Sequence, residues 1–172
     1  IMAGLDLPST GTVHLAGVNI TAMSEEGRAA VRSQHVGFVF QSFHLLPSLT
    51  ACENVALPLE LKGHAYAEKT AMRYLERVGL GDRTKHYPRQ LSGGEQQRIA
   101  IARAMVNEPS IILADEPTGN LDPDISIEIF KLFEEMNKKG ATVIFATHSQ
   151  EIISLGNHRV INLNRGKVTE SR

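Results

Sequence analysis

The chain has few features that would tie it to nucleic acid, to export or to a disulfide scaffold. Its one cysteine, Cys52, excludes an internal disulfide framework and fits a reducing compartment. Neither sign of charge dominates, with 18 Lys and Arg against 19 Asp and Glu and a net charge of -1, so no electrostatic grip on nucleic acid is expected. No apolar run approaches the about 18 residues of a membrane-spanning helix. The opening residues IMAGLDLPSTG show neither a basic start nor a small-residue cleavage site, so neither a span nor an export signal is expected and the cytoplasm is the default location. The seven histidines have no metal-ligand spacing. There is no internal repeat, low-complexity tract or flexible linker, and no Gly-rich, Lys-containing phosphate loop of the form GxxxxGKS/T.

What is present suits one compact α/β domain. At 172 residues, with 42% hydrophobic and 22% charged content, a chain can bury roughly 70% of its unfolded surface. IMAGL reads as the last turn of an apolar helix whose beginning is missing, and an amino-terminal truncation is expected. Residues 12–17 (TVHLAG) read as a short strand, and 24–33 (SEEGRAAVRS) as a surface helix that starts with a cap and acids. VGFVF (36–40) has the β-branched and aromatic pattern of a strand buried on both faces. From Gln41 to about Val106 the pattern is helical, with Ala71, Leu75 and Val78 on one face and Gly79 as a stop. Strand character returns in SIILAD (110–115) and TVIFATH (142–148). Between them lies a helix with the apolar face Ile125, Ile129, Leu132, Phe133 and Met136, opened by Asp122 and Pro123 and closed before Gly140. Strand, helix and strand at this spacing form a βαβ unit with a parallel sheet. The tail RVINLNRGKVT reads as an edge hairpin.

Two kinds of chemistry stand out. In LSGGEQQR (91–98), Ser92 and Glu95 form a capping box, so a helix opens at Ser92 while Gly93 and Gly94 expose its first amides, the makings of an anion site. In open parallel sheets ligands collect beyond the carboxyl ends of the strands. There the three buried runs end in Gln41, in Asp115-Glu116 and in Thr147-His148. Two adjacent carboxylates repel unless a cation or water network engages them, so Asp115 suits a water-mediated magnesium ion and Glu116 an attacking water; a solvated acidic turn is the alternative. Alone, a His such as His148 is more often a satisfied surface or core histidine than a catalytic one, and a Gln such as Gln41 more often a loop hydrogen-bonder. Convergence of the three strand ends on one pocket favours function.

Together these residues resemble the ATP-binding cassette ATPases, the motor subunits of ABC transporters. LSGGEQQR resembles the family signature, SIILADE the Walker B strand with its following glutamate, GNLD (119–122) the D-loop, Gln41 the Q-loop glutamine and His148 the switch histidine. The five motifs stand in family order over nearly the whole chain. VGFVFQSFHLLPSLTACENVALPL and the Glu95 form of the signature look most like the subgroup serving lipoprotein release, macrolide export and cell division.

The resemblance implies a P-loop NTPase (RecA-like) parallel-sheet core with an inserted helical subdomain, incomplete at the amino terminus. Residues 1–41 and 107–172 would form the core and 42–106 the helical, signature-bearing part. It implies ATP and Mg2+ as ligands, a head-to-tail homodimer, integral membrane permease subunits as partners and a location on the cytoplasmic face of the membrane. Ser92, Gly93, Gly94 and Glu95 would close on the γ-phosphate held by a second copy. Glu116 would be the general base, Asp115 a magnesium-site acid, Gln41 a magnesium ligand and water sensor, His148 a γ-phosphate contact, and Asp122 a link between the two sites. Phe43, Leu45 and Leu46 would either pack the junction of the two parts or line the groove that receives a permease helix. The Walker A loop is absent from these residues, so ATP binding and hydrolysis by the chain alone are expected to be weak, and a missing strand would expose a sheet edge. A non-hydrolytic relic and a soluble cassette ATPase acting on DNA or ribosomes are the competing readings.

Overall fold

The structure, a computed structural model, describes residues 1–156 and 158–171. Its centre is a parallel sheet in the order β3 (Val36–Phe40), β4 (Ile111–Asp115), β5 (Thr142–Ala146), with Phe40, Asp115 and Ala146 in register at the carboxyl ends. The connection from β4 to β5 is α5 (Pro123–Lys138), giving the expected βαβ unit. The connection from β3 to β4 carries α2 (Ala51–Glu60), α3 (Ala67–Arg77), 3-10 turns at Gly81–Arg83 and Pro88–Gln90, and α4 (Gly93–Met105). Ahead of β3, α1 (Glu25–His35) starts at Ser24, whose hydroxyl accepts from the Gly27 amide.

One buried cluster joins helices and sheet. Val55 of α2, Leu75 of α3, Ile99 and Ile101 of α4, Ile112 of β4 and Ile129 of α5 are all sealed from solvent. At Gly37 β3 crosses α4 so closely that an added Cβ would lie 2.5 Å from the Ala104 carbonyl oxygen and 2.7 Å from Ile112 Cδ1. Only glycine fits there, which fixes the distance between helix and strand.

Several expectations are corrected. IMAGL forms a single turn, with Gly4 N donating to Ile1 O, and leaves Ile1, Met2 and Leu5 exposed. TVHLAG is not one strand. The left-handed pair Ala16 and Gly17 (φ 49° and 81°) reverses the chain between β1 (His14–Leu15) and β2 (Val18–Asn19). In β3 only Gly37 and Val39 are buried, because α4 covers that face while Phe38 and Phe40 stack on the other, half-exposed one. No residue of β5 is fully buried and Ile144 is 39% exposed: among the described residues β5 has a ladder on β4 alone, and α5 covers only the Val143 and Phe145 side. The tail forms a hairpin, β6 (Ile161–Asn164) and β7 (Lys167–Ser171), turned at left-handed Arg165 and Gly166, but it makes its own two-stranded sheet and not an edge of the main one. On α5 the buried face also takes in Phe130 and Ser126, while Ile125 and Leu132 are half-buried.

Candidate functional site

The carboxyl ends of β4 and β5 bring Glu116 and His148 together. Glu116 Oε1 accepts from the His148 backbone N–H (2.9 Å) and lies 2.7 Å from its Nδ1, while Oε2 accepts from the Thr147 hydroxyl at 3.3 Å. The Glu116 side chain keeps 24% exposure and that of His148 85%, so the carboxylate is aimed yet reachable. Its backbone is left-handed, φ 43°, a conformation disfavoured by about 1–2 kcal/mol for a residue with a Cβ. The turn is held by Glu116 N donating to Ala146 O and by Gly119 N donating to Glu116 O. Asp115, paired with Phe40 and Ala146 in register, ends β4 exposed, and its side chain makes no hydrogen bond among the described residues.

Gln41 does not join this pair. It turns onto residues 119–120: its Nε2 donates to Asn120 Oδ1 (3.3 Å), and a Cβ on Gly119 would lie 2.7 Å from that nitrogen. Asp122 occupies the N-cap position of α5, but its side chain makes no capping bond.

The LSGGEQQR segment opens α4 as its spacing predicts. Ser92 Oγ accepts from Glu95 N (3.3 Å), and Glu95 Oε2 accepts from Ser92 N (2.8 Å) and from the Ser92 hydroxyl (2.9 Å). The Ser92 amide, then its hydroxyl and Arg83, hold the Glu95 carboxyl below the usual carboxylate range. Gly93 faces Leu121 and Phe43, and a Cβ on Gly94 would lie 2.9 Å from Ile125 Cγ2. The helix start thus packs on residues 121–125 of its own chain, which follow directly on the turn that carries Glu116.

Four contributors went unnoticed in the sequence. Asn54, fully buried in α2, donates to the Leu46, Leu49 and Thr50 carbonyls and accepts from Leu46 N. Arg103 of α4 donates to the carbonyls of His44 (2.7 Å) and Phe43 (2.8 Å), both left-handed, and burial lowers its pKa from the usual arginine value. Gln97 of α4 donates to Pro117 O at 2.6 Å, and Arg83 pairs with Glu95 at 3.2 Å. Gln97 and Arg103 act on backbone carbonyls far off in sequence, and Asn54 folds back on carbonyls four to eight residues before it, so no hydrophobic or motif pattern announces them. Leu45 packs against the core, Phe43 is half-buried with its ring beside Gly93, and Leu46 is 43% exposed. A half-open cavity of about 400 Å³ lies at the other ends of β4 and β5, lined by Tyr74, Arg77, Glu108, Ser110, Met136 and Lys139 among others.

Residues 1–119 match the protein family described as "ABC transporter". The chain is 48% identical over 172 residues to an uncharacterised ABC transporter ATP-binding protein of Methanocaldococcus jannaschii, covering 99% of this chain and 76% of that one. It is 45% identical to the lipoprotein-releasing system ATP-binding protein LolD of Xanthomonas euvesicatoria pv. vesicatoria, covering 99% and 70%. To the macrolide export ATP-binding/permease protein MacB of Rhodopirellula baltica it is 46% identical, over 99% of this chain and 25% of that longer protein. Among solved structures it is similar to a dimeric ATP-binding cassette in a post-hydrolysis state bound to ADP and Pi, with a TM-score of 0.88, 38% identity and coverage of 99% and 76%.

Proposed function

The chain belongs to the ABC transporter family, and on that premise we propose that it drives a membrane permease by hydrolysing ATP between two copies of itself arranged head to tail. The observation that carries the reading is the Glu116 carboxylate, held by Thr147 and His148 at the carboxyl end of β4 and still open to solvent. There it can take the proton of an attacking water. His148, mostly exposed beside it, reaches toward the γ-phosphate. The start of α4, with the Ser92 hydroxyl, the Gly94 amide and the helix dipole, stabilises developing phosphoryl charge on ATP bound by the other copy. With the start of α4 serving the ATP of the other copy, each reaction centre is built from two copies. The solved relative that is dimeric with ADP and Pi supports that arrangement.

Magnesium fits the exposed Asp115 carboxylate. A Mg2+ ion keeps most of its shell as water and phosphate oxygens and needs few protein ligands, so one carboxylate with the Gln41 amide oxygen suffices. Held by Asp115 and Gln41, such an ion would supply positive charge against the developing phosphoryl charge. Asp122 at the head of α5 lies on the stretch 119–122 that runs from the Glu116 turn toward α5, and Gln41 touches that stretch through Asn120. Residues 42–106 act as the helical, signature-bearing part between the two stretches of core. Leu46, with Phe43 and Leu45 behind it, offers the permease a contact. A relative whose name joins ATP-binding and permease functions supports such a partner. No helix among the described residues is long and apolar enough to cross a membrane, and a peripheral place on the cytoplasmic face follows from docking to the permease.

The test is subunit mixing, with ATPase measured on the protein as its gene encodes it. Glu116→Gln removes the base and Gly93→Asp puts a carboxylate at the phosphate-facing helix start, where a Cβ meets only ordinary contacts of 3.5 Å and 3.6 Å. Each homodimer should be inactive. Mixed one to one, they should regain about a quarter of normal turnover, since half the dimers are mixed and each of those has one intact centre of two. No recovery on mixing would refute the head-to-tail sharing of the site.

A further inference from the structure

We propose that Gln97 is a positioning residue for Glu116, its buried amide fixing the Pro117 carbonyl and with it the left-handed turn that aims the carboxylate. The inference rests on the role given above to Glu116. Gln97 is fully buried, its Nε2 donates to Pro117 O at 2.6 Å, and its Oε1 meets no donor among the described residues. A buried amide with one end unmatched is a burden on folding that leucine or methionine would avoid in the same space. The gain must therefore come from the one bond it makes.

That bond lies where the chain is strained. Glu116 has φ 43°, and the residue after it is a proline, which has no N–H to help hold a turn. The Pro117 carbonyl is then the only backbone hydrogen-bonding group that residue offers, and Gln97 takes it. The neighbouring restraints, Glu116 N to Ala146 O and Gly119 N to Glu116 O, fix the two ends of the turn. Gln97 fixes its middle, from a helix outside the sheet. Further along the same helix Arg103 holds the carbonyls of Phe43 and His44, just after Gln41. The helix that begins with the phosphate-facing Ser92 thus braces both loops of its own chain.

The experiment uses Gln97→Leu and Gln97→Glu in the protein as its gene encodes it, with ATPase kinetics and amide hydrogen exchange. Gln97→Leu should lower kcat about tenfold with KM for ATP unchanged, the mark of a misplaced reacting group and not of weakened binding. It should also speed exchange about tenfold at the His148 amide, which donates to Glu116 Oε1, by the same loss of positioning. Amides of Ile101 to Ala104 inside α4 should not change. Gln97→Glu can donate to Pro117 O only when protonated, so its kcat relative to the unaltered protein should climb as the pH is lowered, a trend Gln97→Leu lacks. Faster exchange at His148 with unchanged kcat would uphold the tether and overturn the role of Glu116. Unchanged exchange at His148 would overturn the tether, as would loss of protection throughout α4, which would make Gln97 a packing residue.

Discussion

Replacing Arg103 tests whether the loop after Gln41 is held in place or merely folds there. Arg103 donates to Phe43 O and His44 O at 2.8 Å and 2.7 Å. Hydrogen bonds from a charged donor contribute about 1.5–3 kcal/mol each, so Arg103→Ala removes about 3–6 kcal/mol of gross attraction. Phe43 and His44 are both left-handed, at φ 59° and 49°, and each such residue stores about 1–2 kcal/mol. A freed loop can relax and recover about 2–4 kcal/mol of that strain, leaving a net loss of global stability of about 2 kcal/mol. The loop itself should open far more readily. Its native shape loses the bonds without regaining the strain energy, so amide exchange at Phe43 and Leu46 should accelerate by at least about 100-fold, which is about 2.7 kcal/mol. Arg103→Lys keeps the charge but cannot fork across two carbonyls, and it should fall between the two. Urea unfolding and amide exchange read the two quantities separately. If Arg103→Lys matched the unaltered protein in both, or Arg103→Ala cost more than about 4 kcal/mol globally with no local change, the reasoning would fail.

Three further outcomes follow from the same geometry. Asn54→Ala strips the partners from Leu46 N and from the Leu46 and Leu49 carbonyls and should cost about 3 kcal/mol or more in urea unfolding; a loss under about 1 kcal/mol would show that water replaces the side chain freely. Burial first, and then the carboxylates of Glu68, Glu53 and Glu60, push the Cys52 thiol up to about 11, so it should resist iodoacetamide at pH 8 in the folded protein and react promptly once unfolded; rapid labelling of the native state would contradict that burial. The Glu95 carboxyl is held below its ordinary value, so its contribution is present above the unfolded carboxylate pKa and lost as the pH falls through the lowered one. The stability difference between the unaltered protein and Glu95→Gln should therefore shrink between pH 6 and pH 3, and a gap that widened on acidification would reverse the sign of this argument.

The local elements were legible because their causes are local. Ser24 and Ser92 cap α1 and α4, Gly79 (φ 78°) and Gly140 (φ 100°) end α3 and α5 in the left-handed conformation, and the β4, α5, β5 unit follows from its apolar periods. The motif residues could be read for the same reason, since Ser92, Glu116 and His148 sit at element ends that the sequence itself marks. Local pattern could not say which faces of β3 and β5 are covered, because burial depends on which elements arrive from elsewhere. Nor could it separate Gln41, which turns to Asn120, from Glu116 and His148, which meet. Asn54, Gln97 and Arg103 sit inside helices, where a polar side chain ordinarily means solvent. Each instead reaches a backbone carbonyl, Gln97 across 20 residues and Arg103 across 59 and 60. The sequence by itself determined most of the elements and which polar residues stand at their ends. The distance and direction between those ends were decided only when the packed core brought α4 against β3 and against the turn after β4, because a hydrogen bond between distant residues exists only once tertiary packing has set their separation.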